Sequence, residues 1–189
     1  MFFPGDRIRY FIRATDSAAN TSTLPADTTG FRSGEGYHRT FVIRGLPSLY
    51  DPEGDGTVDH PDLLFVNDFG RRGGENEFLQ AFSQNGLTED LDFDTYTVQG
   101  PDSKVGNGIG SAGYHGANAL QLAGYSTIVY VNGDLDLALS DGSSLYKGDD
   151  IGVLADWHAL DGDRFVAYFG DNIASGMLEM ELPGQNYLL

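Results

Sequence analysis

The chain has 189 residues, with 28 acids against 11 lysines and arginines, a formal charge of −17 and no cysteine. Such a surface repels nucleic-acid phosphates and anionic lipid and attracts divalent cations, so no nucleic-acid partner is expected. Disulfides, thiolate metal sites and cysteine nucleophiles are excluded. No apolar run is long enough to span a bilayer, so no membrane insertion is expected, and the length suits one sizeable domain, alone or with a piece of another.

The opening stretch, MFFPGDRIRYFIRATD, lacks the ordered basic, apolar and small-residue regions of a signal peptide and reads as material from inside a longer protein. From residue 7 to 14 the residues alternate, with Ile8, Tyr10 and Ile12 on one face and Arg9, Phe11 and Arg13 on the other, which is strand periodicity. A polar stretch, TDSAANTSTLP, reads as a turn. YHRTFVIRG, residues 37–45, reads as a second strand antiparallel to the first, ended at Gly45 and Pro47. PGDRIRYFIRATDSAANTSTLP resembles the closing strands of bacterial immunoglobulin-like or fibronectin-III-like modules. Residues 1–47 are therefore expected to be the C-terminal part of such a module.

Residues 48–62 form an acidic linker containing DPEGDGTVDHPD. Its acids fall where a calcium loop needs oxygen donors, with a glycine at the sharp turn. Asp51, Glu53 and Asp55 would give side-chain oxygens. Thr57 would give its carbonyl, Asp59 a carboxylate or water bridge, and Asp62 the closing carboxylate. With Leu63 and Leu64 the stretch resembles half of a dockerin repeat. It departs from that pattern in Glu53, in Asp62, and in being a single copy followed by a strand. A structural Ca²⁺ here would clip the hinge between the two parts, and the same residues also read as a solvated acidic linker.

From residue 63 the pattern changes. LLFVNDF is apolar on both faces, as buried parallel strands are. A helix comes next, with Phe78, Leu79 and Phe82 at helical spacing, stopping at Gly86. DFDTYTVQG is the next strand, SAGYHGANALQLAG holds a short helix, and YSTIVYVNG is a third strand. KGDDIGVLADWHALDG is a helix with Asp149 or Asp150 near its start and Ile151, Leu154 and Trp157 on one face. RFVAYFGDN is a fourth strand, and the rest is a short helix and a tail. Strands alternating with helices predict an α/β fold for residues 63–189: an open parallel flavodoxin-like sheet, order about 2-1-3-4, with helices on both faces.

Three strands end in aspartate, at Asp68, Asp134 and Asp171. Ligands bind beyond the carboxyl ends of such strands. These acids, with His115 as acid or base, could hold a metal for hydrolysis, or each could cap the helix or turn after its strand. Arg71, Arg72, Gly73 and Gly74 open the first helix, where amides could cradle an anion. A glycine-rich loop, residues 100–116, could cover a small-ligand or glycan site with Tyr114 as a stacking surface. No G-x-S-x-G elbow is present, and the four histidines show no metal-ligand spacing.

LLFVNDFGRRGGENEFLQAF, DTYTVQGPDSKVGNGIG, LAGYSTIVYVNGDL and FVAYFGDNIAS together resemble an uncharacterised α/β domain of large exported bacterial proteins, found beside immunoglobulin-like modules. The resemblance implies a secreted or cell-surface location and neighbouring domains in a longer chain as partners. It implies no catalytic role.

Overall fold

The computed structural model describes residues 3–69, 74–98, 109–111, 115–134, 139 and 149–179. The chain divides into two compact units, Met1–Leu49 and Tyr50–Leu189.

In the first unit the alternating run breaks at Phe11 into β1 (Arg7–Tyr10) and β2 (Ile12–Thr15). Phe11 packs edge-on against Phe31, with ring centroids 4.9 Å apart. β2 turns back on β3 (Thr21–Leu24), so part of the stretch expected to be a turn is a strand. The turn itself is residues 16–20. Asp16 accepts hydrogen bonds from the amides of Ala18 and Asn20 and from the Asn20 side chain, and Ala19 takes a positive φ of 64°. β1 pairs antiparallel with β4 (Phe41–Arg44), as the alternation predicted. The strand expected over 37–45 loses its first residues to a 3-10 turn at Tyr37–Arg39. There Tyr37 packs against Phe31 and lies under the Arg9 guanidinium, 5.0 Å from the ring centre. These contacts fold the chain inward before it can extend.

The second unit is built on four parallel strands, β5 (Leu63–Asn67), β6 (Phe93–Thr97), β9 (Thr127–Gly133) and β10 (Phe165–Gly170), in the order β10-β9-β5-β6. Between them lie α1 (Glu75–Gln84), the two-residue strands β7 (Gly110–Ser111) and β8 (His115–Gly116), and α2 (Asp150–His158); α3 (Ile173–Glu179) comes after β10. Alternation along the strands makes two faces. On one, Phe65, Phe93 and Val131 pack beneath Phe78, Leu79 and Phe82 of α1. On the other, Leu64, Val66, Ile128 and Tyr130 are buried, and Asp150 at the start of α2 lies close enough to Tyr130 to act on its phenol.

The short helix expected within residues 111–124 is absent from the described part of that stretch. Asn118 and Gln121 exchange reciprocal side-chain-to-amide bonds, which starts a helical turn. Only about eight residues separate β8 from Tyr125, however, so the turn cannot propagate. Two side chains take up the loop's carbonyls instead. Trp157 Nε1–H donates to the carbonyls of Leu122 and Tyr125, each at 3.1 Å, and Arg164 donates to those of Ala123 and Tyr125. α2 begins as its sequence requires, with the Asp149 carboxylate accepting the Gly152 amide at 2.8 Å. Ile151, Leu154 and Trp157 are all buried.

Candidate functional site

Among the described residues, two places in the second unit gather polar chemistry: the carboxyl edge of the sheet, and the loop before β5.

At the carboxyl edge, strand register aligns Tyr96, Val66, Tyr130 and Tyr168 in a single rung across the sheet, all on the α2 face. Asp68 stands two residues beyond Val66, above that rung. It is 4% exposed, and the Tyr130 hydroxyl donates to its Oδ2 at 2.7 Å. Asp150 is 2% exposed and accepts the Gly110 amide at 3.2 Å. Burial first, then the charges of Asp68 and Asp150, push the Tyr130 phenol well above its ordinary pKa. Burial and the same two carboxylates raise Tyr96. Tyr130 therefore remains a hydrogen-bond donor across the physiological range. One rung lower, Asp94 is fully buried and accepts the Tyr125 hydroxyl at 2.6 Å.

The three strand-end aspartates, read from sequence either as one cluster or as separate caps, occupy different environments. Asp68 is buried against Tyr130, whereas Asp134 and Asp171 are exposed at the ends of β9 and β10. There the backbone holds the two strand ends together: the Asp171 amide donates to the Gly133 carbonyl at 2.8 Å, and the Asn172 side chain donates to the Asp134 carbonyl at 3.4 Å. Among the described residues no three histidine, aspartate or glutamate side chains are placed to share a metal ion. His115 contributes its backbone to β8, and its side chain lies outside the described residues, as do Arg71, Arg72, Gly73, Tyr114 and most of residues 100–116. Gly74 precedes α1 with a φ of 82°. Asp94 with its Tyr125 partner, and a role for Asp150 beyond the helix start, were not anticipated. A usable signal was the Asp149-Asp150 doublet, because one acid suffices to cap a helix and the second must go elsewhere.

Comparison with known protein families, curated proteins and solved structures finds no match for this chain.

The loop before β5 is closed by Asp51. Its carboxylate accepts the amides of Gly54 at 2.7 Å, Asp55 at 3.2 Å and Gly56 at 2.9 Å. These bonds, that of Gly56 foremost, hold the Asp51 carboxyl below its ordinary range. Gly54 and Gly56 both need positive φ, 69° and 89°, with open space where a Cβ would lie. Asp55 accepts the Thr57 amide at 2.7 Å, and Asp59 accepts that of His60 at 2.8 Å. A backbone bridge between Tyr50 and Asp59 ties the two ends. Glu53, Asp55, Thr57 and Asp59 line one surface concavity of about 380 Å³ with Pro52 and Val58. Asp62 stands apart from that lining; its carbonyl accepts the amides of Ser126 and Thr127, anchoring the start of β5 to that of β9.

In donor chemistry this set suits a hard cation: all are oxygens, most carry charge, and the loop is already closed. Asp51, Asp55 and Asp59 each spend part of their carboxylate on an amide, and each keeps acceptor capacity beyond it.

Proposed function

We propose that the chain is a non-catalytic module of a secreted or cell-surface bacterial protein, joining the end of an immunoglobulin-like unit to a flavodoxin-like α/β domain, with a structural Ca²⁺ loop at residues 51–62. The observation that carries this reading is the concavity shared by Glu53, Asp55, Thr57 and Asp59 in a loop that Asp51 holds closed. Glu53, Asp55 and Asp59 would supply side-chain oxygens and Thr57 its carbonyl. Asp51 would add a lone pair beyond those it gives the amides. The carboxylates lining the concavity do not yet converge on one point, so they and Asp62 would have to draw in around the ion. Calcium contributes no chemical step here. It would replace repulsion among clustered acids with attraction and so stiffen the loop. At carboxyl edge and core, Asp68 and Asp94 are each bonded to a tyrosine and shut from water, which supports a building role for them.

The test is thermal melting in EDTA and in millimolar calcium. Ligand at a hundredfold its Kd stabilises by about 2.7 kcal/mol, so a rise of several degrees is expected. Asp55→Ala is expected to remove that rise and leave the melt in EDTA unchanged. A wild-type melt indifferent to calcium would sink the proposal.

A further inference from the structure

β10 is the outermost described strand of the parallel sheet, with β9 on its inner side. Its sequence, FVAYFG, contains no charge and no proline. Edge strands are ordinarily protected by just such residues, or by bulges that twist the edge away. The one irregularity here falls at the far end, between Phe169 and Gly170, and leaves Phe165–Phe169 regular. The direction of the outer backbone groups is set by the ladder. The amides of Phe165 and Asp171 donate inward, to Ser126 and Gly133. Successive residues of a parallel strand alternate in this respect, so the N–H and C=O groups of Val166 and Tyr168 face away from β9.

Two large side chains on the α1 face are left uncovered beside that edge. Phe165 is 64% exposed and Phe169 47%, although Phe169 touches Phe78 of α1. Acids stand at both ends of the strand: Asp161 and Asp163 before it, Asp171 after it. The neighbouring cation, Arg164, turns its guanidinium back onto the carbonyls of Ala123, Tyr125 and Asp161. The edge is thus an uncharged strand between two acidic ends.

We propose that β10 is a docking edge for an extended partner segment, apolar at alternate positions and basic at both ends, which adds a strand to the sheet. Backbone bonds to the outward-facing groups of Val166 would supply affinity, and the alternate apolar side chains would cover Phe165 and Phe169. The acids would select the basic ends. They also disfavour a second copy of this chain: antiparallel self-pairing centred on the strand would bring Asp163 of each copy toward Asp171 of the other, and like charges directly opposed are destabilising. This inference does not depend on the calcium loop.

The test uses the full chain and fluorescent synthetic peptides of alternating valine and threonine, ended by lysines, by glutamates or by serines. The lysine-ended peptide is expected to bind at least about tenfold more tightly than the glutamate-ended one, and to weaken as salt is raised. Val166→Pro removes an outward donor while sparing the ladder to β9. Ala167→Lys adds a positive charge at an exposed position. Both are expected to weaken binding about tenfold or more with the fold intact by circular dichroism. Should Val166→Pro fail to fold, Ala167→Lys alone decides. Equal binding of all three peptides, or full binding by Ala167→Lys, would overturn the proposal. So would a dimer in sedimentation that Ala167→Lys dissolves, because the edge would then belong to a second copy.

Discussion

Tyr130 and Asp68 show how a carboxyl group can sit in the core. A polar group shut from water needs hydrogen-bond partners aimed at it, and the phenol donates one at 2.7 Å. Burial and two nearby carboxylates keep that phenol protonated, so the bond persists at alkaline pH where an exposed tyrosine would ionise. Tyr130→Phe keeps the ring and removes the donor. We expect a loss of about 1–3 kcal/mol, read as a lower urea midpoint with an unchanged slope; an unshifted midpoint would mean that other groups carry Asp68 unaided. The Asp51 carboxylate works by the same principle in solvent. Its pKa is lowered in the folded chain, so its contribution is present above the unfolded value and is lost as pH falls through the folded one.

Elements here are set by a few close approaches. Where β9 and β10 leave the sheet, a Cβ on Gly170 would occupy the space of the Asn132 amide oxygen, and one on Gly133, at φ 60°, would come within 2.5 Å of the Phe69 ring. The buried Asn132 and the half-buried Phe69 have little room to yield. Gly170→Ala should therefore cost about 1–3 kcal/mol or more, seen as a lowered melting temperature, whereas Gly86→Ala meets only open space and is limited to its φ strain. The helices divide similarly. α1 and α2 were legible from apolar spacing, a glycine stop and a capping acid. The expected helix within residues 111–124 failed because a cap starts a turn, but only further length sustains a helix.

Across the whole molecule charge is unevenly placed. Met1–Leu49 holds six arginines and four acids, a balance of +2, so Tyr50–Leu189 carries −19 of the total −17. That unit folds against its own repulsion. Raising sodium chloride from low concentration should raise its melting temperature, with most of the gain complete once the Debye length falls to about 10 Å near 0.1 M. A melt insensitive to salt would mean that the acids are too widely spread to matter.

The sequence alone determined what depends on local pattern. LLFVN and TIVYVNG are apolar on both faces and β-branched or aromatic, as buried parallel strands are; FVAYF has the same pattern, although its edge position leaves Phe165 and Phe169 exposed. Asp149 and the Ile151, Leu154 and Trp157 spacing made α2 readable for the same local reason. The closure of the 51–59 loop was foreshadowed by its glycines, since only they take its positive φ without strain. What the tertiary structure decided was which acids share an environment. Asp68, Asp134 and Asp171 look alike at three strand ends, but strand register and the packing of α2 bury the first beside Tyr130 and Asp150 and leave the other two in water. Proximity of that kind depends on contacts between residues tens of positions apart, and no spacing along the chain encodes it.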